Sequence, residues 1–256
     1  LPKQENIQVL FKYQPADRIL REIYAGIGKT VRSVEAKSVR KGEKQVIAVY
    51  SPWNHRLRTP FALTAAEQLS AGKKVLYLNF SICNGFCKSM GLEPDVDMGD
   101  LFYLLREDEE ALLAKLKSGI YPLGSYQIIP PPSNPEHYME WRKGEVRHFL
   151  EILLEKTDFE VLVLDMGCVM NGFFEVLDLC GRIWILKEHW TSKDSGIEEL
   201  RELLEKFKAG LEERVEEVFL PGGQAWREDG TIQVEEFYMG EVGNCVRRLL
   251  GGEYAS

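Results

Sequence analysis

The stretch Val46-Ile-Ala-Val-Tyr-Ser-Pro-Trp-Asn-His-Arg-Leu-Arg-Thr-Pro-Phe-Ala-Leu63 joins an unbroken apolar run to the start of a helix. Val46–Tyr50 has the continuous Val/Ile character of a strand covered on both faces. Beyond it, Phe61, Ala65 and Leu69 recur every four residues, and Gly72 supplies a stop. A buried strand passing through a loop into an amphipathic helix is the repeating unit of an open parallel sheet. In such sheets ligands bind beyond the C-terminal ends of the strands. The loop between Tyr50 and Phe61 is therefore the first place to look for chemistry.

Working outward, the same alternation continues. Val75–Leu78, Tyr126–Ile129, Val161–Leu164, Ile183–Leu186 and Val218–Leu220 read as further buried strands. Between them, Leu101, Leu104, Leu105, Leu112, Leu113 and Leu116 make one apolar helical face, and Phe149, Ile152 and Leu153 another. Ser195 and Glu198 have capping-box spacing ahead of Ile197, Leu200, Leu203, Leu204 and Phe207. A last helix carries Val242, Val246, Leu249 and Leu250. The order predicts an α/β fold: a mostly parallel sheet with helices on both faces and right-handed crossovers. The first segment differs. Ile7–Phe11 reads as a strand and Pro15–Tyr24 as a helix, followed by a polar linker over Gly26–Glu43. The expected division is residues 1–36 as a remnant plus linker and 37–256 as the main domain.

Bulk properties narrow the function. The 256 residues are 45% hydrophobic, enough for one large core. The formal net charge of −8 argues against a uniformly basic nucleic-acid binder. Five cysteines, Cys83, Cys87, Cys168, Cys180 and Cys245, contain no C-x2-C pair, so neither a disulfide framework nor a common zinc module is expected, and the compartment is expected to be reducing. No apolar run approaches the roughly 20 residues needed to span a bilayer, so no stable membrane insertion is expected. The first residue is Leu1, which is read as the start of a fragment.

The loop after Tyr50 carries the decisive pattern. A working phosphate loop uses glycines so that backbone N–H groups can wrap the phosphates. It adds a lysine for the β/γ-phosphates and a Ser/Thr hydroxyl for Mg²⁺. The flanks here resemble the ParA/MinD group of P-loop ATPases, whose deviant loop reads Lys-Gly-Gly-x-Gly-Lys-Thr-Thr. On that template Trp53 stands for the signature lysine, and Asn54, His55 and Leu57 stand for the three glycines. Arg58 takes the place of the P-loop lysine, Thr59 keeps the Mg²⁺-side hydroxyl, and Pro60 follows. Three side chains then crowd a loop that had none. Pro60 removes a backbone donor, and Thr59-Pro60 reads as an N-cap with a first-turn proline. Arg58 at a helix N-terminus still attracts anions. Asn79, after the second strand, stands where the family places an aspartate that handles the attacking water, and an amide is no general base. Asp165, after Val161–Leu164, matches the Walker B carboxylate and is expected to hydrogen-bond at the strand end or to keep a Mg²⁺ role.

Within that group the resemblance runs to the TadZ/CpaE branch of pilus-assembly proteins. It rests on Tyr126–Pro132 with its Ile129-Pro-Pro-Pro exit, on Asp158–Gly167, and on Gly240–Leu250. Phe11–Glu22 is similar to the end of the atypical receiver domain that precedes the ATPase-like domain in that branch. The resemblance implies a P-loop NTPase-like fold and a pseudo-ATPase scaffold or localisation factor of the Flp pilus system. It implies a homodimer, with Trp53 as a possible interface anchor, and pilus-assembly proteins as partners. The place is cytoplasmic, at the cell pole or peripheral to the inner membrane through partners. No cofactor and no turnover are expected. The alternatives are a divergent ATPase that binds ATP with Mg²⁺ through Arg58, Thr59 and Asp165, and a ParA-like DNA-binding partition protein.

Overall fold

A computed structural model describes residues 44–53, 56–82, 85–187, 195–220 and 234–251. The chain divides into two compact units, Leu1–Lys41 with Arg248–Ser256, and Gly42–Arg247; the sheet and the candidate site belong to the second. The strand, helix and linker read over residues 1–43 lie outside the described residues.

The strands are β1 (Gln45–Tyr50), β2 (Val75–Phe80), β3 (Tyr121–Leu123), β4 (Tyr126–Ile129), β5 (Val161–Met166), β6 (Arg182–Lys187) and β7 (Val215–Phe219). The helices are α1 (Arg58–Ser70), α2 (Phe86–Ser89), α3 (Met98–Glu107), α4 (Glu109–Gly119), α5 (His137–Glu140), α6 (Glu145–Lys156), α7 (Phe173–Leu179), α8 (Ser195–Phe207), α9 (Val234–Met239) and α10 (Glu241–Gly251). They build one seven-stranded sheet in the order β3-β4-β2-β5-β1-β6-β7. Every described pairing is parallel except β3 with β4. The α/β fold with a mostly parallel sheet is as the apolar runs predict. The short hairpin strand β3 was not foreseen, because Tyr121-Pro-Leu123 is too brief to show a period.

Alternating strand residues feed two layers. Ala48, Leu76, Leu78, Leu162, Leu164 and Ile183 join one buried cluster with Leu101, Leu116, Phe149, Leu153, Leu177 and Leu200 from the helices of one face. The opposite face is covered by α1, where Phe61 meets Trp184 edge to face at 5.6 Å. Burial of a large aliphatic side chain contributes about 1.5–3 kcal/mol, so these two layers dominate the stability of the sheet.

Three local readings are corrected. The apolar face from Leu101 to Leu116 is two helices, because Asp108 is extended (φ −160°, ψ 111°) and its side chain caps α4 by accepting from the N–H groups of Glu110 and Ala111. The strand read as Val218–Leu220 is Val215–Phe219. Asn79 and Asp165 are not beyond their strands but inside them, and they stand opposite each other in the β2–β5 register.

Candidate functional site

β1, β2 and β5 end side by side, so the loop after β1, the end of β2 and the end of β5 converge. Strand alternation places Tyr77 and Asn79 on one face of β2, and Asp165 is their neighbour on β5. α1 lies across that face and brings Arg58 and Thr59 down onto it from its first turn. The four sequence-predicted positions Arg58, Thr59, Asn79 and Asp165 therefore meet at one point.

The geometry there is closed. Asp165 is fully buried and Arg58 is 5% exposed. Arg58 Nε donates to Asp165 Oδ1 at 2.5 Å, and Arg58 Nη2 donates to Ser81 Oγ at 2.7 Å. Asp165 Oδ2 accepts from Thr59 Oγ1 at 2.6 Å, from Tyr77 OH at 2.8 Å and from Asn79 Nδ2 at 3.1 Å. Asn79 Nδ2 also reaches Tyr77 OH at 2.9 Å, and Tyr138 OH donates to the Asn79 carbonyl at 3.0 Å. A buried carboxylate is stable only when paired and hydrogen-bonded, and Asp165 is both.

Electrostatics follow from this packing. Burial alone acts to lower the Arg58 pKa, but the Asp165 charge and its hydrogen bond outweigh that, and the group is held above its ordinary value. The Tyr77 phenol is pushed well above its usual range, first by burial and then by the adjacent Asp165 charge. Both effects act the same way, keeping Arg58 charged and the Tyr77 phenol a neutral donor. Burial also raises the nearby Cys168 thiol to about 11, so it is not a reactive thiolate at neutral pH.

One expectation for α1 is corrected. Thr59 is not the N-cap. The helix begins at Arg58, Leu57 holds the cap position without a side-chain cap, and the Thr59 hydroxyl is spent on Asp165. Pro60 is the third helical residue, where a missing N–H still breaks no intrahelical bond. At the helix start Arg58 is a buried partner of Asp165. The Leu57 side chain is buried in the core. Trp53 is 49% exposed, and its indole lies on Gly196 in the first turn of α8, where a Cβ would come within 2.8 Å of the ring. Asn54 and His55 lie outside the described residues.

Sequence reading missed three members of the cluster. Tyr77 was legible in principle, two residues before Asn79 on the same strand face. Ser81 receives the outer nitrogen of Arg58. Gly167 follows Asp165 by two, and a Cβ there would lie 2.0 Å from Ser81 Oγ and 2.5 Å from Arg58 Nη2. Its lack of a side chain is what lets the guanidinium pass. Among the described residues no group of three or more His, Cys, Asp or Glu side chains is placed to hold a metal ion.

The class that this architecture defines is the P-loop NTPase-like α/β fold of ParA/MinD type. Among solved structures the chain is similar to a ParA family ATPase from Chlorobium tepidum, with 17% identity over 79% of this chain and 81% of that one, at a TM-score of 0.55. A plasmid partition protein from Borrelia burgdorferi is similar at 12% identity, over 82% of this chain and 99% of that one, with a TM-score of 0.55. Cobyrinic acid a,c-diamide synthase from Mycobacterium smegmatis, solved with a bound ATP analog and magnesium, matches at 16% identity, 70% and 74% coverage and a TM-score of 0.52. At these identities the likeness is one of fold. No family model matches the sequence, and no curated protein does.

Proposed function

We propose that this chain is a pseudo-ATPase scaffold or localisation factor on a ParA/MinD-type fold, akin to the TadZ/CpaE proteins of the Flp pilus system. The observation that carries the reading is the saturation of Asp165 by Arg58, Thr59, Tyr77 and Asn79. Mg²⁺ bound with a nucleotide in the family manner needs that carboxylate and the Thr59 hydroxyl turned toward the ion. Here each is turned to the other, and an internal cation, the Arg58 guanidinium, already neutralises the carboxylate. Asn79 supplies an amide where a carboxylate would handle the water. The residues as arranged do not fit Mg·ATP, and no hydrolytic step is derived from them.

In this reading the protein works by binding. It forms a homodimer and recruits pilus-assembly proteins, at the cell pole or at the periphery of the inner membrane through those partners. Nucleic acid is not among the partners of this reading, and the net charge of −8 argues against a uniformly basic binder. No described helix is long and apolar enough to cross a membrane.

A second reading, a divergent ATPase, is favoured by one observation: Thr59 and Asp165 stand within hydrogen-bond distance, as a hydroxyl and a carboxylate sharing one Mg²⁺ would. Calorimetric titration of Mg²⁺ with ATP into the purified chain separates the two. The scaffold reading expects no binding heat up to about millimolar nucleotide, the weak end of specific affinity. Binding at about micromolar Kd that disappears in Thr59→Ala would establish the ATPase reading instead.

A further inference from the structure

Helices α9 and α10 form a hairpin about Gly240 that is held together from within. The Gly240 N–H donates to the carbonyls of Glu236 and Phe237, and the Asn244 N–H donates to the Gly240 carbonyl. Arg247 Nη1 donates to the Tyr238 carbonyl at 3.1 Å and Nη2 to Asn244 Oδ1 at 2.7 Å, while the guanidinium lies over the Tyr238 ring at 5.6 Å. Gly243 sits so close to α9 that a Cβ there would overlap the Tyr238 carbonyl oxygen. All of these contacts lie within the hairpin, so they persist if it moves as a body.

Its seat on the domain is less well matched. α9 packs against α1, yet none of its six residues is buried. α10 buries Val242, Gly243, Cys245 and Val246. Two polar atoms at this seat are shut away from water with no hydrogen-bond partner among the described residues: Gln68 Oε1, on the last turn of α1, and Tyr126 OH, on β4. Gln68 Nε2 donates to the Gly243 carbonyl at 2.9 Å, which fixes that amide against α10. The Tyr126 phenol is raised first by its own burial and then by the charges of Glu67 on α1 and Glu235 on α9, so it lies near both helices.

An apolar side chain gains a modest increment from docking, and a polar atom withdrawn from water without a partner loses a comparable one. The two stranded atoms therefore offset much of what Val242, Cys245 and Val246 contribute. Swinging the hairpin away returns both atoms to water and exposes those three small side chains with the partly buried ring of Phe237. Opening the sheet itself would instead expose Asp165 and the large side chains packed on β5. We propose that the hairpin from Val234 to Arg247 is a strap that opens as one body while the sheet stays folded. The opened state bares Tyr126 and Gln68 and releases the last turn of α1, the helix whose first turn closes over Asp165. This conformational device goes beyond the scaffold reading and does not depend on it.

The test is alkylation of the full chain with iodoacetamide under native conditions, read thiol by thiol from peptide masses. Cys245 lies on the docked face of α10, and Cys180, fully buried, reports unfolding of the core. Cys245 is expected to react at least about 100-fold faster than Cys180, because a local opening needs less free energy than a global one. Tyr126→Phe deletes one stranded atom. It is expected to slow Cys245 at least about fivefold with unchanged circular dichroism, the reverse of what losing a well-bonded hydroxyl does. Native-state hydrogen exchange is expected to give the N–H groups of α9 and α10 one common opening, distinct from that of β5. The proposal is overturned if Cys245 and Cys180 react at the same rate, which would tie the hairpin to global unfolding. It is overturned equally if Tyr126→Phe leaves Cys245 as fast or faster, as direct attack on a thiol 8% exposed would. Separate openings of α9 and α10 would also overturn it.

Discussion

Asp165 sits in the fifth strand of a parallel sheet with no access to water, where an uncompensated carboxylate costs several kcal/mol. Arg58 is the residue that makes this burial tolerable, and Gly167 is the residue that leaves it room. Arg58→Met is therefore expected to lower stability by about 3–5 kcal/mol, because it strands a buried charge. Adding Asp165→Asn to that variant is expected to recover a large part of the loss. The asparagine carries no charge but keeps an oxygen for Thr59 and Tyr77. Urea denaturation of the two variants beside the parent measures this, and a double variant no better than the single one would mean that the pair is not the source of the loss. At this scale the sequence drew attention to Arg58, Thr59, Asn79 and Asp165 through their resemblance to the positions of a nucleotide site. It did not show that they bind each other. That depends on the β2–β5 register and on where α1 crosses the sheet, both set by contacts far apart in the chain.

Among elements, the clearest departure is the break at Asp108. A leucine pattern that keeps phase across ten or more residues reads as one helix, yet a single extended residue divides it into α3 and α4. The start of α3 is over-determined by comparison. Asp97 accepts from Gly99 and Asp100 N–H groups, Asp100 answers with its own carboxylate, and the second Asp97 oxygen holds Ser133 at the exit of β4. One side chain thus ties a helix start to a strand end. Asp97→Ala is expected to cost about 2 kcal/mol, at the upper end for a lost N-cap, because a loop N–H is abandoned as well. Asp97→Asn, which keeps the acceptor, is expected to cost much less. Chemical denaturation of both variants checks the order. Asp97-x-x-Asp100 has the spacing of a capping box, which the sequence reading passed over, whereas the tie to Ser133 joins residues 36 apart and leaves no local signal.

For the molecule as a whole, the exposed apolar side chains of Trp53, Ile82 and Val169 follow the ends of β1, β2 and β5, which are neighbours in the sheet. They therefore stand on the edge where the closed cluster lies. Under the proposed scaffold role this edge meets a second copy of the chain without help from nucleotide. Sedimentation equilibrium is expected to give a dimer whose mass and dissociation constant are unchanged by Mg·ATP. Trp53→Ala is expected to shift the protein toward monomer, since buried tryptophans are frequent anchors of interfaces. A wild-type monomer, or a dimer that forms only with ATP, would count against the role. Trp53→Ala leaving the dimer intact would confine Trp53 to its contact with Gly196.

By itself the sequence determined the layer order of this protein: continuous apolar strands alternating with amphipathic helices permit little else than a mostly parallel sheet covered on both faces. It also determined that the loop between β1 and α1 carries no glycine, because a glycine's absence is a property of the residue and needs no neighbours. Only the tertiary structure decided what became of the polar residues left behind. Whether Arg58 reaches out to an anion or inward to Asp165 is a contest between solvation and a buried charge. That contest is settled by burial, by the register that sets Asn79 opposite Asp165, and by the gap at Gly167 through which the guanidinium reaches Ser81. None of those three is a local property of the chain, which is why the closed site emerged only once the sheet was assembled.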